Sequence, residues 1–335
     1  MKRPVTLFTA QWADLPLDEV ARLAGGWGFD GLEIACKTAH LDVDRALEDG
    51  AYLDSVRATL DRYGLSVWAL SNHAQGQLVC DDPLDFRHAA IAGPRTWGDG
   101  EAEGVRERAA EQLKKTAVVA RRLGVDVVTG FTGSKIWRYV AMYPPVPAAV
   151  IDDGYADFAR RWNPILDVFD GEGVRFALEV HPSEIAYDYW TTARALEAVD
   201  RRAAFGLNWD PSHMLWQDID PASFIVDFAD RIYHVDCKDT RIRRRDGRAG
   251  RLGSHLAWGD PRRQWTFVSA GQGDVPFEDA FRALDSIGYQ GPVSIEWEDP
   301  GMSRLEGAPR ALAHVRSLLW DPPAAAFDSV FTQQE

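Results

Sequence analysis

The feature that most constrains the fold of this chain is a regular alternation of short apolar runs with longer amphipathic segments. The pattern predicts eight strands, at residues 5–9, 31–34, 66–70, 125–130, 174–180, 205–208, 232–236 and 292–296. Apolar residues that recur three or four positions apart predict helices at roughly 17–27, 50–63, 104–123, 155–170, 191–199, 221–229, 277–287 and 308–319. This order is typical of an α/β protein with a parallel sheet.

Several of the strands follow a helix end of one design, in which a glycine precedes an apolar strand. The segments are GWGFDGLEI, RYGLSVWAL, RLGVDVVTG, GEGVRFALEV and SIGYQGPVSIEW. Glycine adopts cheaply the left-handed conformation that ends a helix. The repetition favours a single closed (β/α)8 TIM barrel over an open doubly wound sheet, which has the same local pattern. We predict that the barrel spans residues 1–320 and that the tail, residues 321–335, packs on it or on a partner subunit.

Charge and composition argue against several classes of function. The chain has 37 basic and 51 acidic residues and a net charge of −14, which disfavours binding to nucleic acid. No run of about 18 uncharged apolar residues occurs, so we predict no membrane span, and Gln11 and Asp14 interrupt any signal peptide. The three cysteines are far apart in sequence. A reducing compartment, most simply the cytoplasm, fits this pattern.

Three predicted connections are long, at residues 73–103, 131–154 and 237–276. They follow strands 3, 4 and 7 at the end of the strands where a barrel carries its active site, so we predict a lidded pocket. The last connection contains the basic segment TRIRRRDGRAGRLGSH. This segment is either a solvated loop, a subunit contact or a recognition element for an anionic or hydroxyl-rich substrate.

Each of the last four predicted strands delivers a carboxylate to its carboxyl end. The residues are Glu179, Asp210, Asp236 and Glu296. In a barrel these ends converge, and four like charges at close range repel unless they are protonated or neutralised by a cation. We therefore predict that the four carboxylates bind one divalent metal ion. Histidines accompany them in the same segments, at His181, His213 and His234.

The ligand types indicate which metal and which chemistry to expect. A set of oxygen ligands suits Mn²⁺ best, with Mg²⁺ and Co²⁺ as alternatives and Zn²⁺ as a further option. A metal in such a site binds adjacent sugar oxygens and polarises a carbonyl, which stabilises the enediolate formed when a neighbouring C–H proton leaves. Glutamates or histidines beside the metal are candidates to carry this proton.

On these motifs the chain resembles the sugar phosphate isomerase/epimerase family of xylose isomerase-like TIM barrels, which includes tagatose and psicose epimerases, inosose dehydratases and endonuclease IV. The resemblance covers most of the chain and is strongest over residues 174–300. It implies that Glu179 in LEVHP and Glu296 in SIEWED act as both metal ligands and acid/base groups. It also implies that Asp210 in NWDPSH is a ligand and that His213 contacts the substrate or a second metal.

The seventh strand departs from the epimerases, which usually carry a histidine where this chain has Asp236. Xylose isomerase has a comparable carboxylate, so the resemblance favours Asp236 over His234 as the fourth ligand.

Lys238 is a candidate to stabilise an enediolate, or alternatively an ion-pair partner of Asp239. The predicted substrate-binding residues are His181, His213, His234, Lys238, His73 and Glu33; Asn72 is a further inward candidate, and Trp68, Trp137, Trp209, Trp258 and Trp297 are either pocket walls or core.

Two enzymatic functions fit the pattern. The first is a divalent-metal-dependent sugar isomerase or epimerase that abstracts a proton next to a carbonyl. The alternative is a metal-dependent lyase or dehydratase that performs β-elimination on a keto-sugar, an inosose or a 3-keto-glycoside. Cleavage of abasic DNA and binding without turnover are disfavoured. We expect an unphosphorylated sugar, polyol or glycoside as substrate because no glycine-rich phosphate loop is present, and the resemblance allows a homodimer.

Overall fold

A closed barrel of parallel strands forms the centre of the protein. The computed structural model describes residues 3–37, 39–140, 143–243, 248–321 and 331. The barrel strands are β1 (Val5–Phe8), β2 (Gly31–Ala35), β3 (Ser66–Ser71), β4 (Val127–Gly130), β5 (Arg175–Glu179), β6 (Phe205–Trp209), β7 (Ile232–Cys237) and β10 (Val293–Ile295). They follow one another in space in chain order, and β1 pairs with β10 to close the ring. The predicted (β/α)8 TIM barrel is confirmed.

Helices cover the outside of the barrel in the described part of the chain. They are α1 (Leu17–Trp27), α2 (Val43–Glu48), α3 (Gly50–Arg62), α4 (His73–Cys80), α5 (Phe86–Trp97), α6 (Ala102–Leu123), α7 (Ala148–Glu172), α8 (Tyr189–Ala198), α9 (Pro211–Leu215), α10 (Pro221–Asp227), α11 (Phe277–Ser286) and α12 (Arg304–Leu318). The eight predicted helices correspond to α1, α3, α6, α7, α8, α10, α11 and α12. The glycine that follows the helix in each of the five repeated helix ends has a φ between +67° and +92°.

The core lies inside the barrel and between the barrel and its helices. The side chains that fill it include a cluster under α7, where Trp162 packs on Phe176 with ring centroids 4.5 Å apart. The indole N–H of Trp162 donates to the carbonyl oxygen of Thr132 at 3.3 Å, so this large side chain is buried without losing its polar contact. Full burial of a side chain of the Phe176 type contributes roughly 1.5–3 kcal/mol. Such burial holds the strand ends, and hence the site, in fixed positions.

The connection after β3 differs from its sequence interpretation as a long loop, because α4 and α5 occupy most of it. The glycine in HAQGQLVC lowers the helix propensity of this segment. Tertiary packing explains the helix: Gly76 lies so close to the chain at Phe131 that a Cβ atom there would be 1.8 Å from the Phe131 carbonyl oxygen. The close contact between α4 and the backbone at Phe131 requires glycine at position 76, and this packing compensates for the low helix propensity of glycine.

The connection after β7 contains an unpredicted antiparallel hairpin, β8 (Asp239–Ile242) and β9 (Trp265–Val268). The carboxylate of Asp239 anchors it by accepting backbone N–H groups of Thr240 at 2.8 Å, Gly271 at 2.9 Å, Gly273 at 2.8 Å and Val275 at 3.1 Å. Hydrogen bonds to a charged acceptor are stronger than neutral ones. The hairpin is therefore fixed to the carboxyl end of the barrel.

A buried carboxylate ties the connection after β4 to the connection after β5. Oε2 of Glu184 accepts the backbone N–H groups of Thr132 at 2.8 Å and Gly133 at 2.6 Å. Burial, and after it the nearby charge of Asp81, raises the pKa of Glu184 to about 8, and the two N–H groups only partly oppose this rise. Folding is therefore linked to protonation of this carboxyl group.

We expect the free energy of unfolding to fall between pH 4.5 and about 8, because the folded pKa of Glu184 lies above its ordinary value of 4.5. The contribution of this group is complete below the unfolded pKa and is lost as the pH rises through the folded pKa, at up to about 1.4 kcal/mol per pH unit. Glu184→Gln keeps an acceptor for the N–H groups and removes this dependence. Urea unfolding from about pH 5 to pH 9 measures it.

The control is Glu172→Gln at the end of α7, which should follow the wild-type pH profile. Parallel pH profiles for the wild type and Glu184→Gln would contradict the assignment of this pH dependence to Glu184.

The predicted tail contact falls mostly outside the described residues, because only 321 and 331 of residues 321–335 are described. Residues 244–247 of the basic segment are outside them too. The tail contact and the homodimer stay predictions. In the part of the chain that the structure describes, no helix has both the length and the apolar character needed to cross a membrane.

Candidate active site

The four predicted ligand carboxylates converge at the carboxyl end of the barrel. Glu179 ends β5, Asp236 lies in β7, and Asp210 and Glu296 directly follow β6 and β10. All four side chains are buried. One oxygen of each of Glu179, Asp236 and Glu296 lies within 4.8 Å of the others. The period of two along each strand and the closure of the barrel together produce this arrangement.

The ammonium group of Lys238 lies among these carboxylates. Its Nζ is 2.9 Å from Oε2 of Glu296, 3.0 Å from Oδ2 of Asp210 and 3.8 Å from Oε1 of Glu179. The alternative of an ion pair with Asp239 is wrong, because Asp239 binds backbone N–H groups instead. One ammonium group offsets one of the four carboxylates, so the cluster has an excess of negative charge when all four are ionised.

Several buried polar atoms in this cluster make no well-formed hydrogen bond to the described residues. They are Oε1 of Glu179, Oδ2 of Asp210, Oδ1 of Asp236 and Nε2 of His213. Their nearest ionisable partners lie at 3.0–3.8 Å. Buried polar atoms are rarely left with incomplete hydrogen bonding, because each such atom costs about 1–3 kcal/mol. Three oxygens and one imidazole nitrogen with incomplete hydrogen bonding in one place fit a divalent cation. The residues present therefore suit the predicted metal.

Three of the four carboxyl groups have raised pKa values because they are buried close to one another. Burial raises the pKa of Asp236 and that of Glu296 well above their ordinary values, and neighbouring carboxylates raise both further. Burial likewise raises the pKa of Asp210 to about 7. A cluster in which ionisation is this unfavourable binds either protons or a cation.

Glu179 differs from the other three carboxylates. Burial works against its ionisation, but the charge of Lys238 and hydrogen bonds from His213 and His73 hold its pKa well below its ordinary value. Nε2 of His73 is 2.9 Å from Oε2 of Glu179, and Nδ1 of the same ring is 2.7 Å from the hydroxyl of Ser71. His73 therefore orients the Glu179 carboxylate.

Two adjacent histidines, His181 and His213, form one side of the site. The rings of His181 and His213 have centroids 3.9 Å apart, and Nε2 of His213 is 3.2 Å from Oδ2 of Asp210. Burial lowers the pKa of His181 to about 4 and that of His213 well below its usual range, so both rings are neutral near pH 7. A neutral imidazole has a free lone pair for a metal or a hydroxyl group.

Glu33 and His234, both predicted to bind substrate, lie below the carboxylate cluster and pair with each other. Nε2 of His234 is 2.9 Å from Oε2 of Glu33, whose other oxygen accepts the Thr129 hydroxyl at 2.6 Å. Both side chains are fully buried, and neither is among the described residues that line the cavity. His234 is also 3.7 Å from Asp236. The geometry therefore favours a supporting position over a contact with substrate.

Two polar residues that the sequence interpretation missed contact the carboxylates. Nε2 of Gln11, after β1, donates to Glu296 at 2.7 Å, and Nδ2 of Asn208, in β6, donates to Asp236 at 2.5 Å. An asparagine inside the apolar run FGLNW was a signal that a buried partner exists. Asn72, the further inward candidate, lines the cavity wall and donates to Thr116 at 2.8 Å.

A cavity of about 890 Å³ opens above the carboxylates. Six of the predicted site residues line it: Glu179, Glu296, His73, His181, His213 and Lys238. Three of the predicted tryptophans, Trp137, Trp258 and Trp297, line it as well. Trp209 is buried in the core, and Trp68 is on the outside of the barrel wall. The cavity thus combines a charged floor with aromatic walls.

Comparison with known proteins identifies the family. A sequence profile described as xylose isomerase-like TIM barrel matches residues 21–318. The chain belongs to this family.

Two sequence relatives illustrate the range of similarity. The uncharacterized protein YfiH of Bacillus subtilis is 28% identical over 312 residues, which covers 88% of this chain and 92% of YfiH. Inosose dehydratase of Clostridium perfringens is 24% identical over 152 residues, 43% of this chain and 48% of that protein.

Solved structures share the fold. The 3-keto-D-glucoside 4-epimerase of E. coli has a TM-score of 0.66 and 17% identity, and the match covers 94% of this chain and all of that one (100%). The IOLI protein, solved with a bound zinc atom, has a TM-score of 0.60 and 17% identity over 94% and 96% of the two chains. At this identity the similarity supports the fold alone.

Proposed function

We propose that this protein is a divalent-metal-dependent sugar isomerase or epimerase that moves a proton at a carbon next to a carbonyl group. One observation carries the proposal: Glu179 and Glu296 both line the cavity floor, and their oxygens lie within 4.8 Å of Asp236 between them. Strands β6 and β7 separate the two glutamates in the barrel, so they approach a bound substrate from different directions. This is the arrangement that proton removal and proton return require.

The metal is proposed to be held by Glu179, Asp210, Asp236 and Glu296. When bound, the ion supplies Lewis acidity that polarises the carbonyl oxygen and stabilises charge that develops on it. Mn²⁺ remains our proposal for its identity because all four ligands are carboxylates. The free oxygen of Asp236 supports this residue as the fourth ligand, since His234 is engaged with Glu33.

The side chains of this chain perform the remaining tasks. One glutamate takes the proton from the carbon next to the carbonyl, which leaves an enediolate, and the other returns a proton to that carbon or its neighbour. His73 keeps the Glu179 carboxylate oriented through the Ser71 contact. Lys238 holds its ammonium group beside Glu296, where a negatively charged substrate oxygen gains a charge-assisted hydrogen bond.

Solvent deuterium exchange tests the proposal. Protein loaded with Mn²⁺ in D₂O is expected to place deuterium at one carbon next to the carbonyl of a ketohexose, an inosose or a 3-keto-glucoside, and mass spectrometry detects the added mass. The same panel without protein, and with protein stripped by a chelator, provides the background. If metal-loaded protein produces neither exchange nor product with any member of the panel, the proposal is wrong.

A second candidate function, β-elimination by a lyase or dehydratase, is favoured by the size of the cavity. Its volume of about 890 Å³ leaves room beyond a single sugar ring for a departing group. In that reaction the base takes the same proton, the carbon–oxygen bond at the β carbon breaks, and the oxygen leaves with a proton as water or an alcohol. Release of water or an aglycone with formation of an unsaturated ketone would identify this reaction, whereas exchange without elimination would identify the first.

A further inference from the structure

The outer wall of the cavity is an aromatic surface that the proton-transfer chemistry does not use. The side chains of Trp265 and Phe267 reach it from β9, Trp258 from the loop that precedes β9, and Trp216 from the end of α9. The rings of Trp216 and Trp265 are parallel within 4° at 4.8 Å, and the rings of Trp258 and Phe267 are 5.4 Å apart at 24°. Together these four side chains form a cluster of rings packed on one another along the cavity, which we call the aromatic wall.

A buried arginine belongs to the aromatic wall. The guanidinium group of Arg263 lies over the ring of Trp258 at 4.3 Å and over that of Trp265 at 4.8 Å. Nη1 donates to the carbonyl oxygen of Leu256 at 2.8 Å, and the whole residue is only 8% exposed. No carboxylate of the described residues forms an ion pair with it. A buried guanidinium group that is held by aromatic rings and one carbonyl keeps unused hydrogen-bonding capacity.

Two residues that line this part of the cavity have a buried N–H donor without an acceptor among the residues that the structure describes. The donors are Nε of Arg263 and Nε1 of Trp216. A third unpaired donor, Nε1 of Trp297, lies against Gly307 of α12 instead. Leaving a buried donor unpaired is costly, and a charged donor costs more than a neutral one. A ligand with oxygen acceptors beside an apolar ring matches this surface.

The aromatic wall is continuous with the carboxylate floor. The ring of Phe267 is 5.1 Å from Nζ of Lys238, and its centroid is 5.3 Å from that of His213. A ligand whose reacting carbon lies at Glu179 and Glu296 therefore extends past Phe267 toward the other rings. The volume of about 890 Å³ is near the upper end of the roughly 300–1,000 Å³ found for small-molecule sites. One monosaccharide leaves much of this space empty.

The hairpin that carries the aromatic wall is held rigidly. Asp239 fixes its first strand through backbone N–H groups, and Oδ2 of Asp299 accepts the N–H of Ser269, directly after β9, at 2.8 Å. A preformed surface loses little entropy when a ligand binds. The hairpin is thus built to bind a ligand without rearrangement.

We propose that the aromatic wall and Arg263 form an outer subsite for a second, oxygen-bearing ring, so that the substrate is a glycoside and not a free monosaccharide. The proposal rests on the proposed function, because the carboxylate floor is taken to hold the reacting sugar. Contact with the indole rings recognises the flat face of the second ring, and the guanidinium group of Arg263 recognises its oxygens.

The test compares ligands that share one sugar and differ in the second ring: 3-keto-glucose, its methyl glycoside, its 4-hydroxyphenyl glycoside and a 3-keto-disaccharide. Binding is measured by calorimetry in the presence of Mn²⁺, independently of turnover. We expect a ligand with a second ring to bind at least about tenfold more tightly than the methyl glycoside. The aryl glycoside and the disaccharide distinguish an aromatic ring from a second sugar.

Two variants test whether the aromatic wall and Arg263 cause the tighter binding of ligands with a second ring. Arg263→Gln and Trp258→Ala are each expected to weaken binding of the preferred two-ring ligand about tenfold while leaving the methyl glycoside and Mn²⁺ binding unchanged. Trp258 is 64% exposed, so its replacement leaves the fold intact. Arg262→Gln and Trp190→Ala are matched controls, since Arg262 pairs with Asp260 and Trp190 does not line this cavity.

The results separate this proposal from the proposed function. Equal affinity for methyl and two-ring ligands, or no measurable affinity for a two-ring ligand, overturns the subsite even if deuterium exchange occurs. Preferential binding of a two-ring ligand that depends on Arg263 and Trp258, but without proton exchange or elimination, supports the subsite and contradicts the proposed function.

Discussion

Glu179→Gln and Glu296→Gln are each expected to lower turnover by about 10²–10⁴-fold, the usual contribution of a positioned acid or base. Both changes keep the size of the side chain and remove its ability to carry a proton. Glu296→Gln also relieves repulsion in a crowded acidic cluster, so this variant without metal should be at least as stable as the wild type. Glu179→Gln removes a carboxylate whose ionised form Lys238 and His73 stabilise, so this variant without metal should be less stable than the wild type. Steady-state rates on the substrate found by deuterium exchange, with thermal unfolding alongside, measure both effects.

Metal content is the companion measurement for these two variants. The wild type is expected to bind about one divalent ion per chain and to gain thermal stability from added Mn²⁺, whereas both variants bind it much more weakly. Glu278→Gln is the matched control, because that glutamate lies on the exposed face of α11 and pairs with Arg282. A wild type without bound metal and without stabilisation by Mn²⁺ would refute the metal site itself.

Lys238→Met is expected to destabilise the metal-free protein by about 3–5 kcal/mol, the usual cost of removing one partner from a buried ion pair. Lys238 is almost fully buried, and its ammonium group contacts Glu296 and Asp210. Methionine fills similar space but leaves the carboxylates without their resident positive charge. Urea unfolding in the presence of a chelator measures the loss.

Saturating Mn²⁺ should narrow the difference between Lys238→Met and the wild type, since a bound divalent cation replaces the lost charge. Lys135→Met serves as the control, because this partly exposed lysine pairs with Asp153 at the surface and its loss should cost less than about 1 kcal/mol. If Lys238→Met without metal is as stable as the wild type, the ammonium group does not neutralise the cluster.

The fold and the floor of the site were largely predictable from sequence. Local periodicity identified the eight barrel strands and eight of the helices, because side-chain spacing of two or 3.6 residues follows from backbone geometry alone. The convergence of Glu179 and Glu296 follows from the same logic, since each stands at the carboxyl end of a strand and barrel closure brings those ends together. Strand positions and topology therefore sufficed to place the carboxylates in one cluster.

Contacts between distant segments were decided by the tertiary structure. Glu33 and His234 are 201 positions apart in sequence. No local pattern indicates that they pair with each other below the carboxylate cluster instead of reaching the cavity. The hairpin β8–β9 is held by the Asp239 carboxylate and packs four aromatic side chains beside Arg263, interactions that exist only once the barrel has formed.

The sequence by itself determined the barrel and its ring of carboxylates, because both follow from local spacing. Only the tertiary structure decided which side chains pair, where Lys238 lies and how the outer wall is built, because those depend on three-dimensional packing.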